Sequence, residues 1–346
     1  MSKTGIAGAI GFAHQSGKDL AQTSSVLYLP ATSVGINPNQ NAQTLPAEVG
    51  GDYFLRGSYK ASAMGTGDIA FVARPNGLGH LLLMLCGVDT VVNTSASVYQ
   101  HTMTPFAVGA GDLPWYSVFK DVSTVLAEEY INTRIQSLKL DVPKSGIMTG
   151  SATLVSTGFS EITSASLGIK TFDNSPQFQS CLASVDFKNE ATGTTISSEA
   201  VKVERVSMSF DNSLSNDEFA VGSFFLEDIT LQQRTVTVDL DYVIRSREMY
   251  EAVYYGGAGD GSGTQSWSPQ LYRGSLGLTM NSLVNIPGTT TPYSCQFLFP
   301  GLDFMSLPIS LSGAEVVRGT LSTQITLGTS GADRFTAILT NGIASY

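Results

Sequence analysis

The sequence predicts a mainly β chain built as two tandem β-sandwich-like domains, each flanked by one short α-helix. Three observations predict it. First, one short motif occurs twice, DIAFVAR at 68–74 and DLDYVIR at 239–245, at an offset of 171 residues in a chain of 346. Second, each copy runs into a helical-looking segment closed by glycine: GLGHLLLMLCG to Gly87, and SREMYEAVYYGG to Gly256 and Gly257. Third, charged residues make up only 14% of the chain, against ~25% in ordinary globular proteins. Glycine, serine and threonine take up the difference, as short strands, tight turns and surfaces covered by neighbouring subunits require.

Length and charge narrow the class. For 346 residues the prior is two domains of ~150–200 residues, each large enough to bury a core without a disulfide or metal. The net charge of −10 is uneven: residues 1–168 hold 9 basic and 11 acidic side chains, the remainder 10 and 18. An acidic balance argues against electrostatic capture of nucleic acid, which needs a basic footprint, but allows a surface past which nucleic acid slides. Cys86, Cys181 and Cys295 are odd in number, far apart and without metal-ligand spacing; they read as free thiols in a reducing compartment. The opening MSKTGIAGAIGFAHQSGKD lacks the apolar core of a signal peptide. The longest apolar run, Leu81–Val88, is far short of the ~20 residues of a membrane helix.

Taken in order, residues 1–26 are small, polar and Gly-rich without a sustained period, and read as an N-terminal arm that orders on a partner. Residues 27–47 carry Pro30, Pro38 and Pro46 and read as extended chain with turns. From Tyr53 the strand signal begins. In the first motif Ile69, Phe71 and Ala73 share one face, with Asp68, Ala70, Val72 and Arg74 on the other. In the second, Val236, Val238, Leu240, Tyr242 and Ile244 alternate with Thr235, Thr237, Asp239, Asp241 and Val243. Period-2 alternation means one buried and one polar face, so this sheet shows one side to water or to a channel.

Pro75-Asn76-Gly77 turns the chain into the first helix, Ser246 is placed to cap the second, and Met249, Ala252 and Val253 form its apolar stripe. Glycine then follows each helix, as at a C′ position. Residues 123–131 are a weaker third helical candidate. Further strands are read at 131–142, 147–157, 201–210, 224–231, 273–284, 294–299 and 319–327. Residues 88–114 and 256–270 follow the two helices at matching places and read as long loops that meet a neighbour. The polar stretch at 165–178 divides the chain into domains at 27–170 and 171–346.

Catalytic and metal motifs are missing from this pattern. His14, His80 and His101 fall in the arm, the first helix and a loop, and no two have ligand spacing. There is no GxSxG elbow, and Gly256–Gly263 lacks the lysine and hydroxyl of a phosphate loop. Asp239 and Asp241, two apart on one strand face and about 7 Å between Cα atoms, admit three readings: a solvated face, a carboxylate pair for acid/base work or a cation, and the acidic lining of an assembly's lumen. Asp68 stands at the matching repeat position, but Ala70 replaces the second aspartate.

The order of elements resembles the major tail tube proteins of long-tailed, non-contractile bacteriophages, in the version with two tandem tube domains per chain. The second-half match runs through RVSMSFDNSLSNDEFAVGS and FFLEDITLQQRTVTVDLDYVIRSREMYEAVYYGG to FLFPGLDFMSLPISLSG. The first-half match is FLRGSYKASAMGTGDIAFVARPNGLGHLLLMLCG followed by INTRIQSLKLDVPKSGIMTGSATLVSTG. The resemblance implies tail-tube-type β-sandwiches whose inner strands join between subunits into a β-lined tube. It implies rings of three chains with pseudo-sixfold symmetry, stacked and locked through residues 1–26, 88–114 and 256–270. It places the protein in the virion tail after synthesis in the host bacterial cytoplasm. The implied partners are further copies, a tape-measure protein and tail-end proteins, with DNA passing the lumen without specific binding and no membrane or cofactor. The lumen-lining candidates are Asp68, Asp239, Asp241, Thr235 and Thr237. Two rival readings are a capsid decoration or baseplate subunit, and a carbohydrate-binding β protein using Trp115, Trp267 and Tyr272 as platforms.

Overall fold

A computed structural model describes the chain apart from residues 1–7, 50, 52–53, 55, 96, 108, 124, 190–194, 197–200, 246, 256–266, 268, 270, 310–315 and 328–333. The first half contains β1 (Ala9–His14), β2 (Leu27–Leu29), β3 (Ala31–Val34), β4 (Asn37–Thr44), β5 (Ser58–Val72), α1 (Pro75–Cys86), β6 (Gly87–Ser95), β7 (Val98–Pro105), β8 (Tyr116–Asp121), β9 (Ala127–Val142) and β10 (Thr149–Ile162). The second contains β11 (Ala183–Asn189), β12 (Thr195–Ile196), β13 (Val201–Asp211), β14 (Leu214–Ser215), β15 (Thr230–Leu231), β16 (Thr235–Ile244), α2 (Glu248–Tyr255), β17 (Arg273–Asn285), β18 (Pro292–Ser306), β19 (Arg318–Ile325) and β20 (Thr336–Asn341).

The two halves repeat one strand order. In the first, β3 and β4 lie along β5, β5 pairs with β10, and β10 with β9. In the second, β13 pairs with β16, β16 with β19, and β19 with the end of β18. The halves meet where β9 pairs with β13, from Val206 opposite Val142 to Asp211 opposite Ser137. A second seam lies in the facing layer, where β7 of the first half pairs with β20, itself paired to β18. All these ladders are antiparallel.

Strand alternation fills the space between the layers. Leu138 and Leu140 of β9, Met208 and Phe210 of β13, and Val238 and Leu240 of β16 are all buried, with Phe297 and Phe299 of β18 beneath them. The Phe210 ring lies 6.3 Å from Phe297 and from Phe299, and 4.9 Å from Phe335. Burying each such ring contributes about 1.5–3 kcal/mol, so the seam between the halves runs through core as well as backbone.

Helix α1 begins on Pro75, whose missing N–H costs nothing at a first helical position. It ends on Gly87, at φ 93°, whose N–H donates to Leu83 O; a side chain there would be strained. Every α1 residue except Asn76 is buried, as for a helix covered on all sides. Gly79 is required by packing: a Cβ built on it would lie 1.9 Å from the ring of Tyr346. That ring sits against His80 at 4.9 Å and His101 at 4.7 Å between centroids, and Asn341 donates to its hydroxyl. Helix α2 is shorter and amphipathic. It buries Met249, Ala252 and Val253, and Arg247 Nε pairs with Glu251 at 2.7 Å one turn on. Its expected cap Ser246 and closing Gly256 and Gly257 lie outside the described residues.

Five expectations are corrected. Residues 9–14, assigned to an arm, form β1, which pairs with β2 and β8 and is buried except at His14. Because the strand is covered on both faces, it shows no alternation. Residues 88–114, read as a loop, contain the β6–β7 hairpin. The β6 side chains are mostly exposed, so no apolar pattern marks the strand. His101 accordingly lies on β7 rather than in a loop. The weak helix at 123–131 is the entry into β9, and of the strand at 224–231 only β15 forms a ladder. The loop read at 256–270 falls outside the described residues except for Trp267 and Pro269.

Candidate functional site: a polar sheet face and two grooves

The sheet that crosses both halves has one apolar and one polar side, and cross-strand register places the polar residues in rows. One row runs Ala70, Ser151, Lys139, Ser209, Thr237, Gln324 and Asp303, from β5 to β18. A second runs Asp68, Thr153, Ser137, Asp211 and Thr235, and a third includes Asp141, Ser207, Asp239 and Ser322. Asp68, Thr235, Thr237, Asp239 and Asp241 therefore share one face, as the alternation predicts. At one end the sheet stops at β4, which is exposed along its whole length and, among the described residues, pairs on one side only.

This face is charged but largely paired. Thr153 donates to Asp68 at 2.6 Å and Thr320 to Asp241 at 2.7 Å. Arg205 Nε reaches Asp141 at 2.7 Å, with Nη1 3.9 Å from Asp241. Those contacts, Asp141 first and Asp239 last, hold the guanidinium firmly charged. Glu204, the extra residue of a β-bulge, is bound by Lys144 and by Arg318 Nε, which hold its carboxyl below the usual range. Lysine and arginine thus interleave with the aspartates, a feature that the net charge of the sequence conceals.

Beside the face lies a groove on the first half, filled by the second. Ala63 N–H donates to Phe224 O at 2.9 Å, and Phe225 forms a parallel bridge to Ala63. The Phe225 ring meets Phe159 edge-on at 5.5 Å. Leu226 and Ile229 are buried with Leu113 and Val155. Arg134 Nη1 donates to Ile229 O at 2.5 Å while its Nη2 pairs with Asp112. Lys18 adds a salt bridge to Asp228 at 3.5 Å. On the second half a cavity of about 690 Å3 lies between Phe106 and Asp112 on one side and Arg234, Val236, Gln324 and Leu327 on the other. Sequence reading missed both features, because grooves are set by where strands stop pairing.

The rival carbohydrate platform does not assemble. Tyr272 is buried against Phe304, with ring centroids 5.0 Å apart, and the Trp115 face is covered by Arg134 at 3.5 Å. Only Trp267 is exposed. His101 is buried between Asp89 and Ile343 O, 2.7 Å from each. Among the described residues no cluster of metal-ligating side chains forms, and no helix is long and apolar enough to cross a membrane. All three cysteines are free, and burial pushes the Cys86 thiol up to about 12.

A polar face that continues through both halves and stops at an exposed strand is the architecture of a structural, assembly-building β protein. Residues 12–279 match the model of the family described as phage tail tube protein, so the chain belongs to that family and is a structural component of a phage tail. Comparison with curated proteins gives no match.

Proposed function

We propose that three chains close head to tail into a ring of six like units, that rings stack into an open tube, and that the polar face lines its lumen. Residues 27–170, together with β1, and residues 171–346 are the two tandem tube domains, and Asp68, Thr235, Thr237, Asp239 and Asp241 line the channel. The observation that carries this reading is the β9–β13 seam. It joins two stretches of the same strand order into one ladder, so each chain already contains one junction of the kind a ring needs. Exposed edges invite pairing, and a head-to-tail contact closes into a ring when its rotation allows. The edge of β4 is where the next chain continues the sheet.

The lumen would carry acids interleaved with Lys139, Lys144, Arg205 and Arg318. The acids outnumber these bases, so no net positive charge remains to hold phosphate by counterion release, which suits a conduit for DNA once a tape-measure protein has left. The β6–β7 hairpin, with Val91 and Val92 exposed, is the candidate contact between rings or with tail-end proteins. Electron microscopy of the purified chain tests the reading: stacked rings with threefold averages are expected, and discrete particles that never stack overturn it. Asp239 and Asp241 on the outer wall would overturn the lumen assignment alone.

A further inference from the structure

The internal repeat reaches further upstream than its strand motif. At the same offset of 171 residues, Phe54–Leu55 stands to Phe225–Leu226 as Asp68 stands to Asp239. In the second copy this Phe-Leu pair fills the first-half groove, on the strand edge at Ala63. The same offset takes Ala63 to Arg234. Register agrees: Val155 lies opposite Thr66, and Gln324 opposite Thr237, which is the repeat equivalent of Thr66. Arg234 and Gln324 are walls of the 690 Å3 cavity. The filled groove and the open cavity are the same site on the two halves.

The cavity has the chemistry of an unfinished contact. Arg234 sits with its guanidinium 5.0 Å over the Phe106 ring, and its Nε and Nη2 have no hydrogen-bond partner among the described residues. Burial lowers its pKa, and no salt bridge offsets that cost among the described residues. Meanwhile the segment joining β4 to β5 holds apolar groups in solvent: Phe54 is 82% exposed, Leu45 45%, and Val49 fully. It also carries Glu48 and Asp52. The chain's own segment starts at the far edge of the sheet. Three strands separate β5 from β16, about 19 Å at ~4.8 Å per step.

We propose that residues 45–57 of a second copy fill this cavity, with Phe54–Leu55 seated as Phe225–Leu226 is in the first-half groove and an acidic side chain of the segment meeting Arg234. The proposal rests on head-to-tail assembly and names the contact that drives it. It also accounts for the exposed aromatic and the unpaired arginine together, since a buried guanidinium gains most from a carboxylate that arrives with its own apolar cover.

The test is a photo-cross-linking residue, p-benzoylphenylalanine, in place of Phe54 in the assembled full chain. Inter-chain cross-links to residues 230–236 or 324–327 are expected, and cross-links confined to one chain or mapping elsewhere overturn the proposal. As a second measurement, Phe54→Asp should leave thermal unfolding of the single chain unchanged and weaken association by at least about tenfold. Undiminished association overturns the proposal while leaving the tube reading intact. Failure of the parent chain to associate at all would sink the assembly reading, and this one with it.

Discussion

The two halves share a strand order but are finished differently. In the first, α1 is buried on nearly every side and the groove beside β5 is filled by Phe224 to Ile229. In the second, α2 is half-exposed and the matching groove is an open cavity. Covering the first half falls to the second: β20 and Tyr346 close over α1, and the 223–229 segment closes the groove. Among the described residues, nothing fills the matching groove of the second half. The lesson is that a repeat's local code sets its strands and helix, whereas its surface chemistry is completed by whatever lies next to it.

The largest losses are expected where the core of the two halves is emptied. Phe210→Ala empties a fully buried ring site beside Phe297, Phe299 and Phe335 and should cost about 3–5 kcal/mol. Leu82→Ala in α1, also fully buried, should cost about 2–5 kcal/mol. If the seams weld the halves, denaturant melts of both variants show the same single transition at lower midpoint, and two resolved transitions would refute that.

Next comes the closure over α1. Gly79→Ala forces Tyr346 out of its place and should cost about 1–3 kcal/mol as overpacking. In a Tyr346→Ala background the same change should be neutral or slightly stabilising, since alanine favours helix by about 1 kcal/mol. A cost that persists in the double variant would mean the collision is with something else.

The same buried cluster carries a pH dependence. Burial, with a smaller push from His14, lowers the His80 pKa from 6.5 to about 4, so the fold holds a neutral imidazole. Its contribution is fully present above pH 6.5 and is lost as pH falls towards 4, up to about 3 kcal/mol. Melting temperature followed from pH 7 to 4 should fall accordingly, and His80→Phe should flatten that part of the profile. An unchanged slope would acquit His80. The smallest effect is expected at the polar face: Arg205→Ala removes an exposed pair with Asp141 and should move stability by less than about 1 kcal/mol.

Much of this fold was legible in the sequence because its key strands expose one face only. The alternation in 235–244 names the inward and outward residues of β16 correctly, and glycine marks the end of α1. Legibility failed where that contrast vanishes. The β1 strand is covered on both faces and β6 is exposed on both, so neither alternates. The segment 224–231 is apolar because it plugs a groove, and its hydrophobicity looked like a strand's. Of the polar face, the acids Asp68, Asp239 and Asp241 were foreseen but not the bases among them: Arg205 reaches Asp141, 64 residues away in sequence, and Arg318 reaches Glu204, 114 residues away, through strand pairing alone.

The β9–β13 seam also bears on how fast larger structures can grow. Two units tethered by one polypeptide meet at an effective concentration near the millimolar range, however dilute the protein is. In the proposed ring, one contact in two would thereby be settled before any chains collide, independent of expression level. Only the remaining contacts respond to concentration, so the onset of growth should depend on it less steeply than for the same units supplied as separate chains.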